Sequence, residues 1–485
     1  MTGPFKGHNI ARFTLATLAV VTLGACAGLP RPGDAMSNAP AATAAPSQWQ
    51  APLPHGGQLT DLARWWQQFD DPLLTQLIDA AQAVSPTLAS AQSRIAQARA
   101  ARVSAVAALG PTLNANASAV RGRQDLSQPL GNTTSAGLQA AWEVDLFGAN
   151  AAARDAAQAR LAGAEASWHD ARVSVAAEVA GAYVSLRACE AQRVQTQIDA
   201  NSRGDTARLT ELAAKAGLQA TASVALARAS AAQGRNLLTQ QRALCDLGVK
   251  SLVALTGVAE PALRSQLAPA GARLPQPAQI VVASIPADVL AQRPDLFSAA
   301  REVLAASADL NQSQAQRYPR IVLNGAIGAA RFSSATDTLD GSVWSLGPVS
   351  VVMPLFDGGA RRANVEAARA RYVEASVIYA SRLRVAVREV EEALVALDST
   401  AERASYARVA TEGFAASYRA ADDRFKSGLA SLFELEDARR SAVQAQSALI
   451  ELQRERVVAW ISLYRALGGG WVADAQSAAV TAIQN

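Results

Sequence analysis

The sequence predicts a mainly α chain made by internal duplication, each copy supplying long helices and one β-hairpin with strands long enough to cross a bilayer. All twenty prolines lie outside two windows, Leu130 to Glu260 and Leu355 to Asn485. Such windows suit very long helices, because an interior proline costs about 3 kcal/mol. The windows also repeat one another. Lys215-Ala216-Gly217-Leu218 corresponds to Lys426-Ser427-Gly428-Leu429 at an offset of 211, and Pro86 and Pro111 correspond to Pro294 and Pro319 at 208. Shared alanine content would not hold Lys, Gly and Pro in register, so the chain reads as two tandem copies of one unit. Finally, Ala136, Leu138, Ala140, Trp142, Val144 and Leu146 alternate with more polar residues, the pattern of a strand between an apolar medium and water.

Composition narrows the class further. Half of the residues are hydrophobic but only 5% are aromatic, which favours closely packed helices over a bulky, thick globular core. The net charge of +4 argues against a nucleic-acid-binding surface. Mean hydropathy is +0.07, and beyond the N-terminus no apolar stretch reaches the roughly 18 residues of a membrane helix. A multi-span helical membrane protein is thereby excluded.

The elements follow in chain order. Residues 1–25 read as a secretory signal: Lys6 and Arg12 without acids, the apolar run Phe13 to Leu23, then Leu23-Gly24-Ala25-Cys26. The last four residues resemble a bacterial lipobox, making Cys26 the expected lipidation site, and Ala27 after it points to the outer membrane. Residues 26–58, rich in Pro, Ala, Gly and Ser, read as a tether. The first repeat, 59–257, holds strands at about 112–123 and 134–147 and a helical hairpin over 149–256. A connector spans 258–286. The second repeat, 287–471, holds strands at about 321–332 and 343–356 and a hairpin over 358–467, and a tail covers 472–485. Ser333 to Ser342 reads as the polar loop between the second pair of strands, and Pro348 inside the last one argues against a regular ladder there. Four strands cannot close a barrel, and open strand edges are not tolerated in lipid. The hairpins therefore combine with other copies of the chain or belong to a soluble sheet.

Val175, Val179, Ala182, Leu186 and Cys189 have the four-three spacing of a helix seam. Cys189 precedes Gly217 by 28 residues and Cys245 follows it by 28, so a hairpin turning at Gly217 brings the two together. A disulfide is expected in an oxidising compartment, the alternative being two buried thiols. Enzymatic chemistry finds no footing. Three histidines without ligand-spaced neighbours give no metal site, the Gly468-Gly469-Gly470 run follows a helix, and no cofactor is expected.

The chain resembles the TolC-like outer-membrane factors. Cys26 after a signal, the duplicated unit, Trp142 to Gly148 paired with Pro354 to Gly359, and the ending Arg465-Ala466-Leu467-Gly468-Gly469-Gly470-Trp471 carry the resemblance. It is closest to the lipoprotein (NodT-like) branch serving resistance-nodulation-division (RND) efflux pumps. The resemblance implies a homotrimer with a 12-stranded outer-membrane β-barrel on a periplasmic α-helical tunnel, a periplasmic membrane-fusion adaptor and an inner-membrane RND pump as partners, and passive export of small molecules. By residue, it implies adaptor-docking tips at Gly217, Leu218, Gly428 and Leu429, and a periplasmic gate at Phe433 and Asp437. Arg228 or Arg440 are candidates to hold Asp437, with plain surface pairing as the competing explanation. The exit duct of a type I protein secretion system and a periplasmic helical scaffold lipoprotein are the alternative readings.

Overall fold

The computed structural model describes Ala51, residues 62–123 and 129–277, Leu290, and residues 293–471. Cys26, the signal, the tether apart from Ala51 and the tail from residue 472 lie outside these, as do residues 278–286 of the predicted connector. After a 3₁₀ turn at Leu62–Phe69 come α1 (Pro72–Val84), α2 (Pro86–Ala107), β1 (Thr112–Gly122), β2 (Gly131–Val144), α3 (Ala149–Lys215), α4 (Thr221–Thr256) and α5 (Glu260–Leu267). The second half contributes α6 (Pro294–Ala315), β3 (Arg320–Ser334), β4 (Thr338–Val352), α7 (Ala360–Lys426) and α8 (Leu432–Ala466).

The duplication is visible element by element. Helices α2 and α6 both have 22 residues and start 208 apart, while α3 and α7 both have 67 residues and start 211 apart. The extra three residues lie in the strand-to-helix turn. Four residues, Asp145 to Gly148, link β2 to α3, and seven, Met353 to Gly359, link β4 to α7. In both turns an aspartate caps the following helix. Asp145 accepts from the backbone N–H of Asn150 (3.1 Å) and Ala151 (2.7 Å), and Asp357 accepts from Gly359 (2.9 Å) and Arg361 (3.1 Å).

These caps shorten the strands relative to the sequence reading. Strand β2 ends at Val144 instead of 147, and β4 ends at Val352 instead of 356. At the other end of the sheet β2 starts at Gly131, and β3 and β4 extend into the expected Ser333 to Ser342 loop, which shrinks to residues 335–337. The polar residues there are ladder members, such as Arg331 opposite Asp340. Pro348 is accommodated by a bulge: Leu323 pairs with Val349 and Gly325 with Leu346, leaving Gly347 and Pro348 against Asn324. The Asn324 side chain donates to the Pro348 carbonyl at 3.2 Å.

Two compact units partition the described residues. One, residues 108–156 and 306–377, holds the sheet, all antiparallel in the order β1-β2-β3-β4. The other contains residues 62–107, 157–277, 293–305 and 378–471, and here the expectation of a chain without a thick core is corrected. Trp65, Leu74, Tyr183, Leu186, Leu252, Leu263, Leu394 and Val457 are buried in one cluster to which the 3₁₀ turn and all eight α-helices contribute. Five aromatics, Trp65, Phe69, Tyr183, Trp460 and Tyr464, are buried in it, with Trp65 stacked on Tyr464 at 5.5 Å between ring centroids. Composition alone does not reveal such clustering. At its edge the Tyr183 hydroxyl donates to Asp71, the N-cap of α1, at 2.6 Å, and buried Arg187 donates to Tyr183 (3.0 Å), Glu190 (2.8 Å) and the Leu267 carbonyl (3.0 Å). Burial and the bond to Asp71 push the Tyr183 hydroxyl above its usual range.

Candidate functional site

In the sheet, register assigns each residue to a face. Ala136, Leu138, Ala140, Trp142 and Val144 of β2 share theirs with Leu113, Ile321, Leu323, Ile327, Trp344 and Val349 of the other strands. The opposite face carries Asn114, Asn116, Ser118, Gln139, Asn324 and the ion pair Arg320–Glu143. The apolar run from Ala136 to Val144 is about 30 Å along the strand and about 23 Å at a tilt of ~40°, which fits the ~25 Å apolar band of a membrane barrel. On the polar face Gly137 and Gly328 are register partners. A Cβ on Gly328 would lie 2.4 Å from the Ala136 carbonyl oxygen and 2.8 Å from the Gly137 Cα. The backbones of β2 and β3 approach so closely on that face that only glycine fits at the pair.

The two helical hairpins turn through the same motif. The Leu218 N–H donates to the Ala213 carbonyl (2.8 Å) and Gly217 N–H to Ala214 (2.9 Å); Leu429 donates to Arg424 (2.7 Å) and Gly428 to Phe425 (3.0 Å). These are Schellman ends, which require a left-handed residue after the helix, and Gly217 and Gly428 supply it at φ +78° and +75°. The motif pushes the next side chain outward, leaving Leu218 78% and Leu429 72% exposed. The second tip alone has a side-chain cap, Ser431 Oγ accepting from the Glu434 N–H at 3.2 Å.

The gate candidates separate. Phe433 is exposed on the first turn of α8, and Asp437 pairs with Arg440 one turn along the same helix. Arg228 does not meet Asp437. It reaches across the first hairpin to Glu211, whose carboxylate the contact lowers. Both pairs are solvated, where ion pairs contribute little.

Sequence reasoning missed the stronger constellation beside them. Arg439, 1% exposed, pairs with Glu436 and donates to Thr206 Oγ1 at 2.8 Å. Glu436 also accepts from Ser230 (2.8 Å) and lies 3.5 Å from Arg203, which in turn donates to Asp199 (2.8 Å) and Ser230 (2.9 Å). This network ties α3 and α4 to α8, and the Arg439 guanidinium lies 5.6 Å from the Tyr418 ring centroid. One signal was available. Gly234 has no room for a Cβ, which would come 2.8 Å from the Arg203 Cδ.

Cys189 and Cys245 are joined by a disulfide with Cα atoms 5.5 Å apart. Beside it, Gly248 packs against Leu186, whose Cδ1 would be 3.2 Å from an added Cβ. The bridge closes a sequence separation of 56 residues, so replacing both cysteines with serine is expected to lower stability by about 4 kcal/mol in the chain-entropy account. A fall in the urea midpoint, mimicked in the unaltered protein by reductant, is the measurement.

The profile of the outer membrane efflux protein family matches residues 77–258 and 285–469, two stretches that begin 208 and end 211 positions apart, as the duplicated elements do. Outer membrane protein OprJ of Pseudomonas aeruginosa is 31% identical over 476 residues, covering 94% of this chain and 95% of that protein. The pyoverdine export outer membrane protein OpmQ of the same species is 28% identical, covering 95% and 97%. Among solved structures, the outer-membrane channel OprN aligns with a TM-score of 0.78 at 26% identity, covering 89% of this chain and 99% of that one. VceC of Vibrio cholerae aligns at 0.74 and 27%, covering 84% and 99%.

Proposed function

Since the chain belongs to the outer membrane efflux protein family, we propose that three copies join their four-stranded sheets into one 12-stranded barrel and serve as the passive exit duct of an RND-type pump. The outer membrane is its location and efflux its role. The observation that carries the trimer is the sheet itself: apolar on one face, polar on the other, with β1 and β4 as open edges. Open edges cannot face lipid, so closure must come from further copies, and the polar face then lines a water-filled lumen. Cys26 anchors the chain in the membrane through its lipid. The exposed Leu218 and Leu429 at the tips dock a periplasmic adaptor, and the Arg203–Glu436–Arg439 network holds the hairpins closed until docking.

The reading is tested by a trimer band on unheated gels that collapses on boiling, together with stepwise conductance in planar bilayers. A lipid-free protein that stays monomeric and silent would overturn it. For the tips, Leu218→Asp with Leu429→Asp is expected to reduce co-purification of adaptor and pump about tenfold or more, through loss of two exposed apolar contacts. The trimer band should remain.

A further inference from the structure

We propose that the loop end of the sheet carries a binding site for a phosphorylated glycolipid of the outer leaflet, built on Arg121, Arg123 and Arg331. The proposal rests on the barrel reading above. Register places Arg121 opposite Asn132, and Arg331 opposite Thr134. Asn132 and Thr134 belong to the same face as Ala136 and Leu138, so both arginines project on the lipid side, just beyond the apolar band. Arg123, two residues past Arg121 at the end of β1, is exposed as well. Arg121 and Arg331 are two strands and two residues out of register, about 12 Å between Cα atoms by strand geometry. Two arginine side chains can span that separation and close on one headgroup.

Charge bookkeeping at the two ends of the sheet differs. Where the helices enter, Arg320 is held by Glu143 and Arg361 by Asp357. At the loop end none of the three guanidinium groups makes an ion pair or hydrogen bond with another described residue, although Asp340 stands opposite Arg331 in the ladder. Guanidinium groups without a partner among the described residues, at the margin of an apolar band, call for anions at the membrane surface, and their planar forks match phosphate oxygens. Beneath them a 630 Å³ groove runs along the small residues Ala117, Ala119, Ala136 and Ala329 up to Arg331 and Asp340. Its volume and apolar floor suit an acyl chain, so one lipid can place its phosphate on the arginines and its tail in the groove. The occupant is a glycolipid with phosphates on its sugar, because the loop end of an outer-membrane barrel faces the outer leaflet.

The test uses the full-length trimer in detergent with purified bis-phosphorylated lipid A as probe, counted per trimer by native mass spectrometry. Arg121→Gln with Arg123→Gln and Arg331→Gln is expected to weaken retention about tenfold or more, the loss of charged hydrogen bonds. Arg317→Gln with Arg362→Gln, at the helix end, is expected to change nothing. Equal retention by the triple variant overturns the site, and so does equal binding of phosphatidylglycerol by the unaltered trimer, which would mean a site for any anionic lipid. Trimer bands and conductance are read on the same samples. Their absence in the unaltered protein would count against the barrel itself, their presence with unchanged lipid binding against this site alone.

Discussion

Glu436→Ala is expected to leave the duct open. The substitution removes the carboxylate that faces Arg203, Ser230 and Arg439, leaving the guanidinium of Arg439 buried with only the Thr206 hydroxyl and the Tyr418 ring beside it. A buried charge stripped of its partner costs about 3–5 kcal/mol. The cheapest relief is to let the hairpins part and water reach Arg439. If about 3 kcal/mol of that favours the parted state, the open-to-closed ratio rises about a hundredfold, read as the fraction of time at full conductance in single-channel records. Arg439→Met removes the charge along with the bond and should open the duct less, since Glu436 keeps Arg203 and Ser230. Asp437→Ala with Arg228→Ala should change conductance little, because both side chains lie in exposed pairs. If that double variant opened the duct and Glu436→Ala did not, the buried network would not be the gate.

Gly328→Val is expected to prevent assembly. The new Cβ alone would overlap the Ala136 carbonyl and the Gly137 Cα, and neither is a flexible side chain that can swing away. Strands β2 and β3 would have to separate, breaking the continuous ladder that a closed barrel requires. The trimer band should fall at least about tenfold in outer-membrane fractions, as expected for a strain of a few kcal/mol. Ala329→Val, one residue along but on the apolar face, is expected to assemble normally. Equal trimer yields for the two variants would show that the close approach at Gly328 is not needed.

The helices and their turns were legible in the sequence because their signals are local: a window without proline, then glycine at Gly217 or Gly428 where the chain must adopt positive φ. The faces of the sheet were legible from the alternation in β2. Strand ends were not, because Asp145 and Asp357 act as helix caps only once the backbone of the following turn exists. The buried Arg203–Glu436–Arg439 network was largely out of reach for another reason. Thr206 and Arg439 are 233 positions apart, and Ser230 and Glu436 are 206 apart. Nothing local distinguishes Glu436 and Arg439 from the neighbouring Asp437 and Arg440, which look equally polar and point into solvent. The core around Trp65 escaped for a similar reason, since its members come from nine helical segments and none of them dominates its own stretch.

The two hairpin tips share a turn but not its reinforcement, since only the second carries the Ser431 cap. A ring of three chains would then display six tips of two alternating kinds, giving the assembly threefold symmetry with only a disguised sixfold appearance. A partner that closes on such a ring faces a counting problem. Three copies can each choose the same kind of tip and ignore the other, whereas six copies must accept two unlike seats and so adopt two unlike conformations or affinities. The Ser431 cap and the Arg424–Glu434 pair, both on the second tip, are the contacts by which a partner would tell the two seats apart.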